Sequence, residues 1–135
     1  MIVVCDSGPL VAFLNRRDQF HPWAVARMKE IRPPMLTSEA VLTEIANFLR
    51  AADLSVDPLF QLLERGALEV RFDLSAHWPR IRTLMDRYQR MDLADASIVV
   101  MSELNRRARV LTIDQADFSI YRRNDRQVID LIAPK

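Results

Sequence analysis

The sequence predicts a single α/β domain in which helices cover both faces of a mostly parallel β-sheet. Short apolar runs rich in β-branched residues alternate with longer amphipathic segments along the 135 residues. Strands separated by helices favour parallel pairing, because each helix returns the chain to the same edge of the sheet. No repeat, low-complexity tract or linker divides the chain, and 50% of its residues are hydrophobic. We therefore expect one domain over residues 1–135 with one core.

In the first half of the chain, turn-forming and capping residues delimit the predicted elements. Ser7-Gly8-Pro9 resembles a helix cap followed by proline in the first turn, and Pro33-Pro34 ends a helix because helical backbone is disfavoured before proline. Thr37 or Ser38 can cap the next helix. The predicted strands are residues 2–5 and 35–37, and the predicted helices are residues 9–14, 21–31 and 38–52.

The second half follows the same alternation. Asp57-Pro58 opens a helix that ends at Gly66, and Ser75 can cap a later one. Pro79 is compatible with that later helix only in or near the first turn, where an amide hydrogen has no helical partner. The predicted strands are residues 67–72, 109–113 and 128–132, and the predicted helices are residues 57–66, 75–88 and 92–107.

Composition excludes several kinds of functional site. One cysteine, Cys5, and two histidines, His21 and His77, cannot supply a four-ligand Cys/His zinc site, and the two glycines exclude a Walker loop or dinucleotide fingerprint. We interpret the histidines as surface or capping residues. The longest apolar runs are far shorter than the ~20 residues of a membrane span. Since a lone cysteine inside an apolar run, with no partner for a disulfide, fits a reducing compartment, we expect a soluble, cytoplasmic protein without a membrane partner.

The basic residues are almost all arginine. Of the 19 lysines and arginines, 17 are arginine, which suits bidentate contacts to phosphate. The net charge of +1 alone indicates no particular partner. An arginine-rich but purely structural surface explains the composition equally well.

Two acidic residues follow predicted strands. Asp6 ends the first strand, and Asp114 follows the strand at residues 109–113. Ligands bind beyond the carboxyl ends of the strands in sheets of this kind, so both carboxylates should face one crevice. Each of them could instead start a turn or cap a helix.

Two further acids lie on the apolar sides of predicted helices. Glu44 is three or four residues from Val41 and Phe48, and Asp95 lies on the side of its helix that faces the sheet. A carboxylate in such a place must be paired, protonated or bound to a metal, and an arginine partner is the structural alternative. Asp92 has a simpler interpretation as the N-cap of the same helix.

Together the four carboxylates of Asp6, Glu44, Asp95 and Asp114 can form a site for Mg²⁺ or Mn²⁺. One or two such ions can activate a water molecule for in-line attack on phosphorus and stabilise the departing oxygen. The protein then needs no nucleophilic side chain.

Four segments of the chain carry a family resemblance. They are Asp6-Ser7-Gly8-Pro9-Leu10, Leu42-Thr43-Glu44-Ile45-Ala46-Asn47, Leu93-Ala94-Asp95-Ala96-Ser97-Ile98 and Leu111-Thr112-Ile113-Asp114-Gln115-Ala116-Asp117-Phe118. In order, spacing and total length they resemble the PIN domain family, and within it the VapC-type toxins of bacterial and archaeal toxin–antitoxin pairs. The resemblance covers essentially the whole chain and implies a PIN-like α/β/α fold.

The resemblance also implies an activity: a Mg²⁺- or Mn²⁺-dependent endoribonuclease that leaves a 5′-phosphate and a 3′-hydroxyl. It implies a homodimer that binds RNA and is held inactive by a cognate antitoxin. The residues it implies as metal-binding and catalytic are Asp6, Glu44, Asp95 and Asp114. Possible supporting residues around them are Asp117, Ser7, Asn47, Thr112 and Asp92, and Arg50 or Arg16 could hold RNA phosphates.

Three alternatives compete with this hypothesis. A phospho-receiver domain needs a lysine at a strand end, but Lys29 lies in a predicted helix and Lys135 is the last residue. A haloacid-dehalogenase-type phosphatase needs a second aspartate two residues after the first, where this chain has Gly8. The third alternative, an inactive PIN-like module that holds RNA or protein while its acids pair with arginines, stays open at this point.

Overall fold

The computed structural model describes residues 1–135 and contains seven short strands. They are β1 (Val3–Cys5), β2 (Met35–Thr37), β3 (Leu68–Val70), β4 (Arg109–Leu111), β5 (Arg122–Arg123), β6 (Gln127–Val128) and β7 (Leu131–Ile132). Five of them form one parallel sheet in the order β3-β2-β1-β4-β7, and β5 and β6 form a separate antiparallel pair. The predicted parallel α/β architecture is confirmed.

Seven helices connect the strands. They are α1 (Ser7–Leu14), α2 (His21–Glu30), α3 (Glu39–Ala51), α4 (Asp57–Glu64), α5 (Leu74–Arg87), α6 (Leu93–Leu104) and α7 (Gln115–Phe118). A side-chain oxygen accepts a hydrogen bond from a first-turn amide at five of the helix starts, which satisfies donors that have no partner within the helix. The capping residues are Asp6, Ser38, Asp73, Asp92 and Asp114. None of the helices is both long enough and apolar enough to cross a membrane.

The boundaries of two helices differ from the prediction because an aspartate one or two residues earlier provides the cap. The first helix begins at Ser7, with Asp6 as its N-cap, rather than at residue 9. In α5, Asp73 accepts from the Ser75 amide, so Ser75 is not the cap. Pro79 consequently lies inside the second turn of α5 and not in or near the first. It deprives the Ser75 carbonyl of a helical donor, but Ser75 is exposed and water can satisfy it.

The strand predicted at residues 128–132 is divided in two. Val128 pairs with Arg122 in the antiparallel β5–β6 hairpin, whereas Leu131 pairs with Val110 in the parallel sheet. The turn of the hairpin contains Asn124 and Asp125, both with positive φ, a conformation that asparagine and aspartate tolerate best among non-glycine residues. The sequence predicts one strand here because apolar residues lie on both sides of Asp130.

The centre of the sheet determines where the candidate site lies. β1 is fully buried between β2 and β4, and eight of the 12 residues of α6 are buried beside it. Cys5 is aligned with Leu111, and the Asp6 amide donates to the Leu111 carbonyl at 3.0 Å. The residues that follow β1 and β4 therefore meet at one edge of the sheet.

Candidate active site

Asp6 is held rigidly where β1 ends. Its side chain is only 6% exposed, and its two carboxylate oxygens accept from the Ser7 amide and the Thr112 hydroxyl, each at 2.8 Å. The Thr112 hydroxyl also accepts from the Asp114 amide at 3.0 Å, so one buried threonine joins the ends of β1 and β4. Burial raises the pKa of Asp6 from 3.8 to about 6, although both hydrogen bonds oppose the increase.

Glu44 reaches the same edge from α3. Its neighbours Val41 and Ile45 are buried in the core, while Glu44 itself is half-buried. Phe48, expected on the apolar stripe, is 56% exposed, so Glu44 lies at the border of the stripe. Burial, followed by the nearby Asp92 and Asp6 carboxylates, raises the pKa of Glu44 from 4.5 to about 7, and the Ser7 side chain opposes the increase.

Asp95 lies in the first turn of α6, where Asp92 caps the helix. Asp92 accepts from the Asp95 amide at 2.8 Å, which confirms the predicted capping role. The Asp95 carboxylate is half-buried and accepts from the Tyr121 hydroxyl at 2.9 Å. Burial first and the Asp92 charge second raise the pKa of Asp95 from 3.8 to about 7.

Asp114 and Asp117 complete the acidic surface from the segment after β4. Asp114 is exposed and caps α7 by accepting from the Asp117 amide at 3.0 Å. The carboxylate of Asp117 lies 3.3 Å from the guanidinium of Arg90 and forms an ion pair with it. The Arg90 side chain is 81% exposed.

One open pocket of about 370 Å³ brings these side chains together. Six acids line it: Asp6, Glu44, Asp92, Asp95, Asp114 and Asp117. All four predicted metal ligands are therefore at one pocket, with Ser7 beside them and Thr112 buried behind Asp6. Asn47, Arg16 and Arg50 do not line it, and all three are exposed elsewhere.

Two residues of the site were missed by the sequence analysis. Arg90 lines the pocket from the loop before α6, and its position two residues before Asp92 is a signal that could have found it. Tyr121 contacts Asp95 across 26 residues of chain, and no sequence pattern links the two.

The charges of the pocket are largely uncompensated. Asp117 pairs with Arg90, but Asp6, Glu44 and Asp95 have no arginine, lysine or histidine within ion-pair distance. Pairing with arginine, the structural alternative for buried carboxylates, is therefore absent at these three positions. A set of unpaired carboxylates in a partly desolvated pocket is costly unless the acids are protonated or a cation is bound.

The donor set fits a hard divalent cation, since carboxylate oxygens are the ligands that Mg²⁺ and Mn²⁺ prefer. No three of the acids converge in the structure on a single point at ligand distances. Coordination of an ion by three of these carboxylates therefore requires side-chain rearrangement.

Comparison with known proteins adds two findings. The family model described as the PIN domain matches residues 3–124. The structure is similar to the crystal structure of VapC20 of Mycobacterium tuberculosis, a toxin that cleaves the sarcin-ricin loop, with a TM-score of 0.68 and 17% sequence identity over 85% of this chain and 93% of that chain. At this identity the likeness concerns the fold. No curated protein sequence matches the chain.

Proposed function

The chain belongs to the PIN domain family, and from this premise we propose that it is a Mg²⁺- or Mn²⁺-dependent endoribonuclease that acts as the toxin of a toxin–antitoxin pair. One observation carries the proposal. The four acids implied by the family resemblance line one pocket, and Asp6, Glu44 and Asp95 among them have no cationic partner. In an inactive module, by contrast, arginines would pair with these acids.

Asp6 has a distinct part among the acids of the proposed site. Asp6 is the fixed ligand, because each of its oxygens accepts one hydrogen bond and retains a lone pair for a cation. Glu44, Asp95 and Asp114 approach it from separate elements. A bound divalent ion would supply positive charge opposite the attacked phosphate and lower the pKa of a nearby water. Attack of that water on phosphorus would form one P–O bond and break the bond to the 3′ oxygen, which takes up a proton and leaves a 5′-phosphate and a 3′-hydroxyl.

The proposed partners are RNA, a cognate antitoxin and a second copy of the chain. The structural similarity to VapC20, a toxin that cleaves the sarcin-ricin loop, supports RNA and an antitoxin as partners. An exposed apolar stripe on α5 supports the third: Leu74, Trp78 and Met85 are 45%, 54% and 36% exposed. Apolar side chains four and seven residues apart lie on one helix face, which favours burial against another protein surface.

The proposal is tested by incubating total cellular RNA with purified, antitoxin-free protein and Mg²⁺ or Mn²⁺, beside a reaction containing EDTA. We expect discrete cuts that require the metal, with 5′-phosphates at the mapped ends. If folded protein that binds the metal cuts no RNA, the inactive binding module is the correct interpretation.

Arg90 is the only cationic residue that lines the pocket, so we expect it to contact an RNA phosphate. Replacing it with alanine should raise KM for RNA about 5- to 10-fold and leave kcat within about 2-fold, since one charge-assisted phosphate contact contributes about 1–2 kcal/mol. Steady-state cleavage of a short RNA substrate measures both constants.

The matched control for this arginine is Arg65→Ala. Arg65 is also exposed but precedes β3, at the opposite edge of the sheet. Equal KM values for the Arg90→Ala and Arg65→Ala proteins would show that Arg90 does not hold substrate.

A further inference from the structure

Tyr121 is a buried tyrosine whose hydroxyl contacts one of the acids that line the pocket. The residue is 2% exposed, and its ring makes edge contacts with Phe118 and Tyr88, both with centroids 5.2 Å away. The hydroxyl donates to Oδ2 of Asp95 at 2.9 Å. Because the aromatic packing restricts movement of the Tyr121 ring, the hydroxyl has little access to another acceptor.

The segment that carries Tyr121 is anchored to the same helix as Asp95. Arg80 bridges Glu103 of α6 and Asp125 of the β5–β6 hairpin, at 2.9 Å to each. Glu103 also accepts from the Asn124 amide. Because both partners of the hydrogen bond are tied to α6, the distance between the Tyr121 hydroxyl and the Asp95 carboxylate is fixed by the fold.

Among the predicted ligands, only Asp95 depends for its single hydrogen bond on a side chain that is distant in the sequence. Asp6 accepts from two donors, and Asp114 accepts from the Asp117 amide. The Asp95 side chain accepts from Tyr121 alone, and its Oδ1 makes no hydrogen bond. Without the phenol, nothing in the structure would determine which oxygen of Asp95 is available to a cation.

We propose that Tyr121 is a positioning residue of the metal site, which holds Oδ2 of Asp95 so that Oδ1 remains available as the ligand. This inference rests on the proposed function, because it assumes that the pocket binds a divalent cation. Hydrogen bonds to metal-binding side chains orient them, and their removal typically costs about 10- to 100-fold in affinity or activity.

The test compares Tyr121→Phe with Tyr88→Phe. Both changes keep the aromatic ring and remove one hydroxyl, but the Tyr88 hydroxyl accepts from the Arg122 amide and touches no carboxylate. Calorimetric titration of metal-free protein with Mn²⁺ should show affinity weakened about 10-fold in Tyr121→Phe and changed less than about 2-fold in Tyr88→Phe. At subsaturating Mn²⁺, kcat for RNA cleavage should fall in parallel, with KM for RNA unchanged.

A double-mutant cycle separates positioning from general stability. In an Asp95→Asn background, Tyr121→Phe should change Mn²⁺ affinity less than about 2-fold, because the residue acts through that carboxylate. An equal loss in both backgrounds, an equal loss in Tyr88→Phe, or no loss in Tyr121→Phe overturns the inference. Selective unfolding of Tyr121→Phe, with Tyr88→Phe intact, also overturns it in favour of a purely structural role.

The two proposals can fail separately. If wild-type protein binds Mn²⁺ but cuts no RNA, and Tyr121→Phe weakens Mn²⁺ binding, the nuclease proposal fails and the positioning role stands. If wild-type protein cuts RNA and Tyr121→Phe matches it in Mn²⁺ affinity and kcat, only the positioning role fails. Wild-type protein that binds no Mn²⁺ overturns both.

Discussion

Replacing Asp6 with asparagine should reduce RNA cleavage about 10³-fold, because the loss of a metal-binding carboxylate removes several kcal/mol of transition-state stabilisation. The same change should stabilise the metal-free protein. Asp6 is nearly fully buried, lacks a cationic partner and has a pKa raised from 3.8 to about 6. Its ionisation at neutral pH therefore opposes folding, by up to about 3 kcal/mol.

Asparagine removes the charge and can still accept from the Ser7 amide, but it no longer accepts from the Thr112 hydroxyl at its nitrogen. We therefore expect a net gain of about 1–2 kcal/mol in the free energy of unfolding, measured by urea denaturation at neutral pH with EDTA. Asp53→Asn is the matched control, since Asp53 is exposed and has a positive φ that asparagine tolerates equally. A destabilised Asp6→Asn protein that still cuts RNA would indicate a structural carboxylate.

The second large effect concerns pH and metal together. The pKa of Asp6 is about 6, and those of Glu44 and Asp95 are about 7, all above their ordinary values. Between about pH 4 and 7 the folded protein therefore binds more protons than the unfolded chain, so its stability falls as pH rises through this range. The loss should be about 3 kcal/mol by pH 8, counting Asp6 in full and discounting the half-exposed acids for solvent screening.

Mg²⁺ should reverse this loss, because a cation neutralises the ionised carboxylates. At about 100 times the dissociation constant it should add about 2.7 kcal/mol at pH 8 and much less at pH 5, where protons compete for the same oxygens. Urea denaturation at several pH values, with and without Mg²⁺, measures both effects. Stability that rises from pH 5 to pH 8 in the metal-free protein would contradict the arrangement of unpaired acids.

Local chemistry explains why much of the fold was predictable. β2 was predicted with its observed bounds, because Pro33-Pro34 and the cap at Ser38 confine it on both sides. The β5–β6 hairpin was not predicted, because its strands contain only two residues each and have no alternating pattern. Partner choice in such short strands depends on the turn between them and on contacts with distant helices.

The candidate site was predictable to the extent that strand ends and apolar helix faces constrain it. Asp6 and Asp114 follow paired strands, and Asp95 follows its capping residue Asp92. Tyr121 was not predictable, since its role depends on contacts across an aromatic cluster. The only sequence signal for Arg90 is its position two residues before Asp92. Asn47 belongs to a family-like segment and lies three residues after Glu44 in α3, but it is exposed and does not line the pocket.

The central position of β1 in the sheet affects when the site can form during synthesis of the protein. β1 is synthesised first, yet one of its two neighbours in the sheet is β4, and Thr112 reaches Asp6 across 106 residues. Because synthesis proceeds from the N-terminus at about 5–20 residues per second, several seconds pass between the synthesis of Asp6 and that of β4, which completes its surroundings. Nascent chains that have not yet extended beyond β4 therefore cannot assemble the acidic pocket, so the proposed activity would begin only after that strand has been made.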